Sequence, residues 1–156
     1  MDKNSINKMA ISATVHCLIG CSIGEVAGLI IGTHLGLANA STVVLSITLA
    51  FISGYILSIL PIVKSGVPLK KAARVVIAAD TVSILTMEIV DNGVMLVIPG
   101  ALGAGLLNPL FWVSMAISLV VAFMAAVPVN RYLLQKGKGH ALVHEYHSGH
   151  EHHHNH

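Results

Sequence analysis

Four long apolar stretches, separated by short polar or Gly/Pro-containing segments, organise the chain. They run from about Met9 to Leu37, Val43 to Val63, Val75 to Pro99 and Leu110 to Leu134. A helix needs roughly 20 residues to cross the hydrocarbon core of a bilayer, and each stretch is long enough. None shows the alternating polar positions of a porin strand, so helices are expected and a barrel is not. The expected fold is all-α, an integral membrane bundle of four transmembrane helices over residues 1–139. A His-rich cytoplasmic tail, expected to be disordered, follows over residues 140–156. The apolar run after the polar start is far longer than a signal-peptide core, so no cleavable secretory signal is expected.

Composition supports the lipid setting. Of 156 residues, 54% are hydrophobic and 10% charged, with a mean hydropathy of +0.78. A soluble domain carries about a quarter charged residues. The net charge of +2 is too small to point to nucleic acid, and the basic residues read instead as topology signals. Lys3 and Lys8 precede the first helix. Lys64, Lys70, Lys71 and Arg74 lie between the second and third, and Arg131, Lys136 and Lys138 end or follow the fourth. The other two linkers contain no Lys or Arg, so all nine basic residues fall on one side. The positive-inside rule makes that side cytoplasmic, with both termini inside and the bundle in the cell's cytoplasmic membrane. Phe111 and Trp112 are expected at the outer interface and Tyr132 at the inner one.

The first helix carries Gly20, Gly24, Gly28, Gly32 and Gly36 at a strict spacing of four. On a helix this leaves a bare groove into which another backbone can pack closely. The groove predicts a packing seam, within one protomer or between the copies of a homo-oligomer.

Candidate chemistry lies in the polar residues of the spans. The first helix holds His16, Cys17, Cys21 and Glu25, with His34 near its outer end. The third holds Asp80, Glu88 and Asp91, with Met87 and Met95. Four of the seven acidic residues thus lie at membrane depth, where an ionisable group costs a few kcal/mol unless it faces protein, water or an ion. Cys17, Cys21 and Glu25 step by about 40° each and form one stripe. Asp80, Met87, Glu88, Asp91 and Met95 fall within an arc of about 100°. At a rise of ~1.5 Å per residue, Cys17 matches the level of Asp80, Cys21 that of Met87, and Glu25 that of Glu88 and Asp91. His16 points about 100° away from Cys17 and is expected to line or cap the inner mouth.

Thiolates and thioethers suit Cu(I), and also Zn(II); carboxylates suit harder ions such as Fe(II) and Mn(II). The mixture points to a transition metal held by His16, Cys17, Cys21, Glu25, Asp80, Met87, Glu88 and Asp91. Copper or zinc fits best, with iron as a further candidate. The alternative for the thiols is plain apolar packing or a redox pair, although a disulfide between residues four apart on a helix would be strained. For the carboxylates the alternatives are a structural hydrogen-bond network or a proton relay. The tail adds His140, His144, His147, His150, His152, His153, His154 and His156. Such a tract collects Zn(II), Ni(II) or Cu(II) through imidazole without needing a fold. Gly149, Glu151 and Asn155 interrupt the run, unlike a purification tag.

The segment from His16 to Glu25 (HCLIGCSIGE), together with Asn130-Arg131-Tyr132-Leu133-Leu134 and Lys136-Gly137-Lys138-Gly139-His140-Ala141, resembles the membrane family known as domain of unknown function 4396. The resemblance covers nearly the whole chain apart from the extreme N-terminus and the tail. It implies a small helical membrane domain and brings no established activity. It also implies that His140, and by extension His144, belong to the end of the domain.

A transition-metal transporter or channel is the leading expectation. A membrane thiol-redox or haem-dependent enzyme and a metal sensor are the alternatives. No Gly-rich phosphate loop is present, so an ATP-driven pump is not expected from this chain alone. No hydrolase motif is present either.

Overall fold

The structure, a computed structural model, describes residues 3–64 and 66–136. Those residues form four helices: α1 (Lys3–His34), α2 (Asn39–Lys64), α3 (Leu69–Val97) and α4 (Pro109–Gln135). Each helix packs on its sequence neighbours and α4 closes back on α1, giving an up-down-up-down ring with α1 and α3 across its diagonal. The start of α1, the α2–α3 link and the end of α4 share one end of the bundle, here the basic end. The links 35–38 and 98–108 share the other.

Local chemistry sets the helix ends. Gly36 takes the left-handed conformation, φ +64°, and the Leu37 N–H returns to the Gly32 carbonyl at 2.9 Å, so a glycine-capped turn ends α1 at His34. Gly66, at φ +92°, turns the chain out of α2, and Pro68 precedes α3. Asn108 caps α4, its Oδ1 accepting the Leu110 N–H at 3.0 Å, and Pro109 occupies the first turn. The helices begin earlier than the apolar runs. Lys3–Lys8 and Leu69–Arg74 are polar but helical, because helix continuity is set by backbone bonds and not by hydropathy.

Three helices, α1, α2 and α4, are long and apolar enough to cross a membrane. At 29 residues α3 has the length, but it carries Lys70, Lys71, Arg74, Asp80, Glu88 and Asp91. The large apolar side chains lie outside, for example Ile19, Ile23, Ile56, Ile89 and Val120, and the interior is built from small and polar residues. This arrangement suits a lipid environment, where apolar side chains gain nothing from being inside.

The glycine groove is filled by α2 of the same chain. A β-carbon at Gly20 would stand 2.8 Å from Gly54 Cα. At Gly24 it would stand 2.4 Å from Ala50 Cα, and at Gly28 2.4 Å from Ser46 Cα. At Gly32 it would stand 2.6 Å from the Thr42 side chain. Each four-residue step along α1 meets a four-residue step back along α2, so one antiparallel seam uses four of the five glycines. Ser53 bridges it, its hydroxyl donating to the Gly20 carbonyl at 2.6 Å. A homo-oligomer through this groove is therefore corrected: α2 already occupies the contact. Gly36 lies beyond the seam and serves the turn. Phe111 also departs from expectation. It is 7% exposed and turned into the bundle, whereas Trp112 faces out and donates its indole N–H to the Leu106 carbonyl at 2.8 Å.

Candidate functional site

The polar residues expected within the spans stack along the bundle interior in successive levels. Nearest the basic end, Asn130 Nδ2 donates to Thr14 Oγ1 at 2.7 Å, and the Thr14 hydroxyl donates to the Ala10 carbonyl at 2.7 Å. Both residues are buried and tie α1 to α4. One turn along α1, Cys17 is 1% exposed and lies beside Ser58 of α2 and Ser83 and Asp80 of α3. At the next level Cys21, also a buried free thiol, neighbours Glu88. Gly54 makes room there. Its missing side chain leaves space for Ile84 and Cys21 Sγ, 3.0 and 3.9 Å from where a β-carbon would stand. Cys17, Cys21 and Met87 share one buried cluster with Ile84, Ala50, Ala122 and Ala126.

Above the thiols, Glu25 of α1 and Asp91 of α3 bring their carboxyls together. The Ser118 hydroxyl of α4 donates to Asp91 Oδ1. Asn92 Nδ2 donates to the Glu88 carbonyl at 2.9 Å and reaches Glu88 Oε2 at 3.5 Å. From this level a cavity of about 350 Å³ extends to the end of the bundle away from the basic residues. Glu25, Asp91 and Asn92 stand at its inner limit, and Met95, Met115 and Phe111 on its wall.

The two stripes thus meet inside one protein at the levels expected from helical rise. They meet as pairs. Among the described residues, no three His, Cys, Asp or Glu side chains converge as a group able to hold a metal. His16 lies off the column. Its Nε2 donates to the Leu57 carbonyl at 2.8 Å, because Pro61, four residues on in α2, has no N–H to offer that oxygen. His34 is exposed. The expected tail ligands His147, His150, His152, His153, His154 and His156, with His140 and His144, lie outside the described residues.

Sequence reasoning missed the serines. Ser58, Ser83 and Ser114 are buried with hydroxyls that have no nitrogen or oxygen partner, as is Glu88 Oε1. In contrast Thr14, Ser22, Thr48, Ser53, Thr81 and Thr86 each donate to a carbonyl one turn back. An unmade buried hydrogen bond costs about 1–3 kcal/mol, so these atoms mark places suited to a water or ligand. A signal for them was present: Thr42, Ser46, Ala50, Gly54, Ser58 in α2 and Ser114, Ser118, Ala122, Ala126, Asn130 in α4 repeat small or polar residues at the same four-residue interval as the glycines.

These features define a class: a small α-helical membrane protein with thiols and carboxyls buried along its interior. Residues 6–139 match the family described as Domain of unknown function (DUF4396), and the chain belongs to that family. No curated protein and no solved structure matches it.

Proposed function

We propose that this protein moves a transition-metal cation across the cytoplasmic membrane through the interior of its four-helix bundle. The observation that carries the reading is the buried column itself. Paired thiols and carboxyls from α1 and α3 run level by level from an open cavity toward the basic end. Burying several ionisable groups at membrane depth is costly, and a passing cation offsets that cost. The α3 helix counts as the fourth span. Its acids turn inward, and Ile77, Leu85, Ile89 and Leu96 face outward. The positive-inside rule puts the basic end in the cytoplasm and the cavity outside, so both termini are inside.

In this reading a cation enters the cavity and meets Glu25 and Asp91, which replace part of its hydration shell with carboxylate oxygens. It then passes the Cys21, Met87 and Glu88 level and the Cys17 and Asp80 level. Pairs of ligands suit passage, because a complete chelate would hold the ion too tightly to release it. The His-rich tail would collect the ion, copper, zinc or iron, on the cytoplasmic side.

Metal flux into proteoliposomes tests this, with Cu(I), Zn(II), Fe(II), Mn(II) and Ni(II) supplied in turn. Flux of at least one ion is expected, abolished by Asp91→Asn, Glu25→Gln or the Cys17→Ser/Cys21→Ser pair and only modulated by removing residues 140–156. No flux of any of these metals through correctly inserted, folded protein sinks the reading.

A further inference from the structure

We infer that Cys17, Cys21 and Met87 form a selective site for a monovalent thiophilic cation, Cu(I) or its surrogate Ag(I), midway along the column, with Ser58 and Ser83 supporting the bound Cys17 thiolate. The inference rests on the transport reading for the onward movement of the ion, but the site stands on its own geometry. The two cysteines are four apart on one face of α1, and Met87 comes from the facing helix into the same buried cluster. That places three sulfur-bearing side chains in one buried cluster, all three residues being no more than 2% exposed. Among the described residues no third His, Cys, Asp or Glu completes a chelating group with the thiols. Zn(II) in a closed protein site takes four donors, with thiolate and imidazole preferred over thioether. Cu(I) accepts two or three donors and favours thiolate and thioether.

The serines supply the independent observation. Ser58 and Ser83, 0% and 1% exposed, come from two different helices, lie within reach of the Cys17 sulfur, and have no nitrogen or oxygen partner for their hydroxyls. A thiol sulfur is a weak acceptor, whereas a thiolate accepts strongly, as charge-assisted hydrogen bonds do. The two hydroxyls therefore gain strong bonds only when Cys17 is a metal-bound thiolate. As the ion binds, the two thiols release their protons to the medium. One M⁺ and two thiols become an anionic dithiolate complex and two protons, and charge is conserved.

The test is anaerobic titration of the full-length protein in detergent with Cu(I), and separately Ag(I), reading the ultraviolet thiolate-to-metal charge-transfer band. One ion per chain in that band is expected, retained in excess Zn(II) or Mn(II). Cys17→Ser and Cys21→Ser should each abolish it, and Met87→Leu should weaken binding. Ser58→Ala with Ser83→Ala should lower affinity about 10- to 100-fold, the usual range for residues that support a metal ligand. Tail histidines bind through imidazole and do not contribute the band. Absence of the band in folded wild type, a band that survives loss of either cysteine, or unchanged affinity in the double serine variant overturns the inference. The two readings fail separately. A band without flux removes transport and keeps the site, and flux of Zn(II) or Mn(II) without a band does the reverse.

Discussion

His16 and Pro61 show how one residue's missing donor sets another residue's role. Pro61 has no N–H, so the Leu57 carbonyl of α2 lacks its helical partner, and His16 of α1 supplies one. A carbonyl only accepts, so Nε2 carries the hydrogen and Nδ1 is the nitrogen left for an ion or proton. His16→Ala is expected to cost about 1–3 kcal/mol by stranding that carbonyl. Adding Pro61→Ala returns an N–H to the helix and should recover most of the loss. Thermal melts in detergent of both single variants and the double check this, and strictly additive losses would refute the pairing. The residue types were legible in the sequence, as was the angular offset of His16 from Cys17. The carbonyl it serves was not, since that depends on which part of α2 lies opposite.

Among elements, the α1–α2 seam is the closest contact in the bundle, and its tolerance is asymmetric. A β-carbon at Gly24 would stand 2.3 Å from the Leu49 carbonyl oxygen, which is backbone and cannot swing aside, whereas one at Gly93 in α3 meets nothing within 4 Å. Gly24→Ala is expected to destabilise by about 1–3 kcal/mol through overpacking. Gly93→Ala should stay within about 0.5 kcal/mol, as at an unconstrained site. Detergent melts of the two variants side by side measure the difference, and equal behaviour would mean the seam is looser than drawn. The four-residue period of α1 was plain in the sequence, but its occupant was not. A groove of small residues accepts any close backbone, and the matching period in α2 identifies the partner once the antiparallel pairing is known. Phe111 follows the same logic. Its neighbour Trp112 has an N–H that finds the Leu106 carbonyl outside, while Phe111 has no polar atom and fills the interior.

For the whole molecule, orientation is the property most open to direct measurement. In a Cys17→Ser/Cys21→Ser background, single cysteines at Ala38, Lys70 and Gly103 can be labelled in intact cells with a membrane-impermeant thiol reagent. Positions 38 and 103 should react from outside, and position 70 only after lysis. Labelling of 70 and 103 from the same side would mean that α3 does not span, and labelling of 70 alone from outside would reverse the proposed topology. Asp91→Asn tests a different whole-molecule property. It keeps a group able to pair with Ser118 but replaces a carboxyl beside Glu25 by an amide, so it should spare assembly, checked by size-exclusion profile, while abolishing flux.

The sequence by itself determined the helices, their apolar lengths, the one-sided placement of basic residues and the depth of each thiol and carboxyl along α1 and α3. These follow from hydropathy and from the constant rise and rotation of a helix, which need no knowledge of neighbours. Only the tertiary structure decided that the glycine groove closes on α2, that His16 serves Leu57, and that the two stripes meet as pairs. It also brought three serines from three helices to the interior without a nitrogen or oxygen partner. The physical reason is that angular position within one helix is a local property, whereas the rotation and register of one helix against another are set by close packing of small residues over the whole bundle.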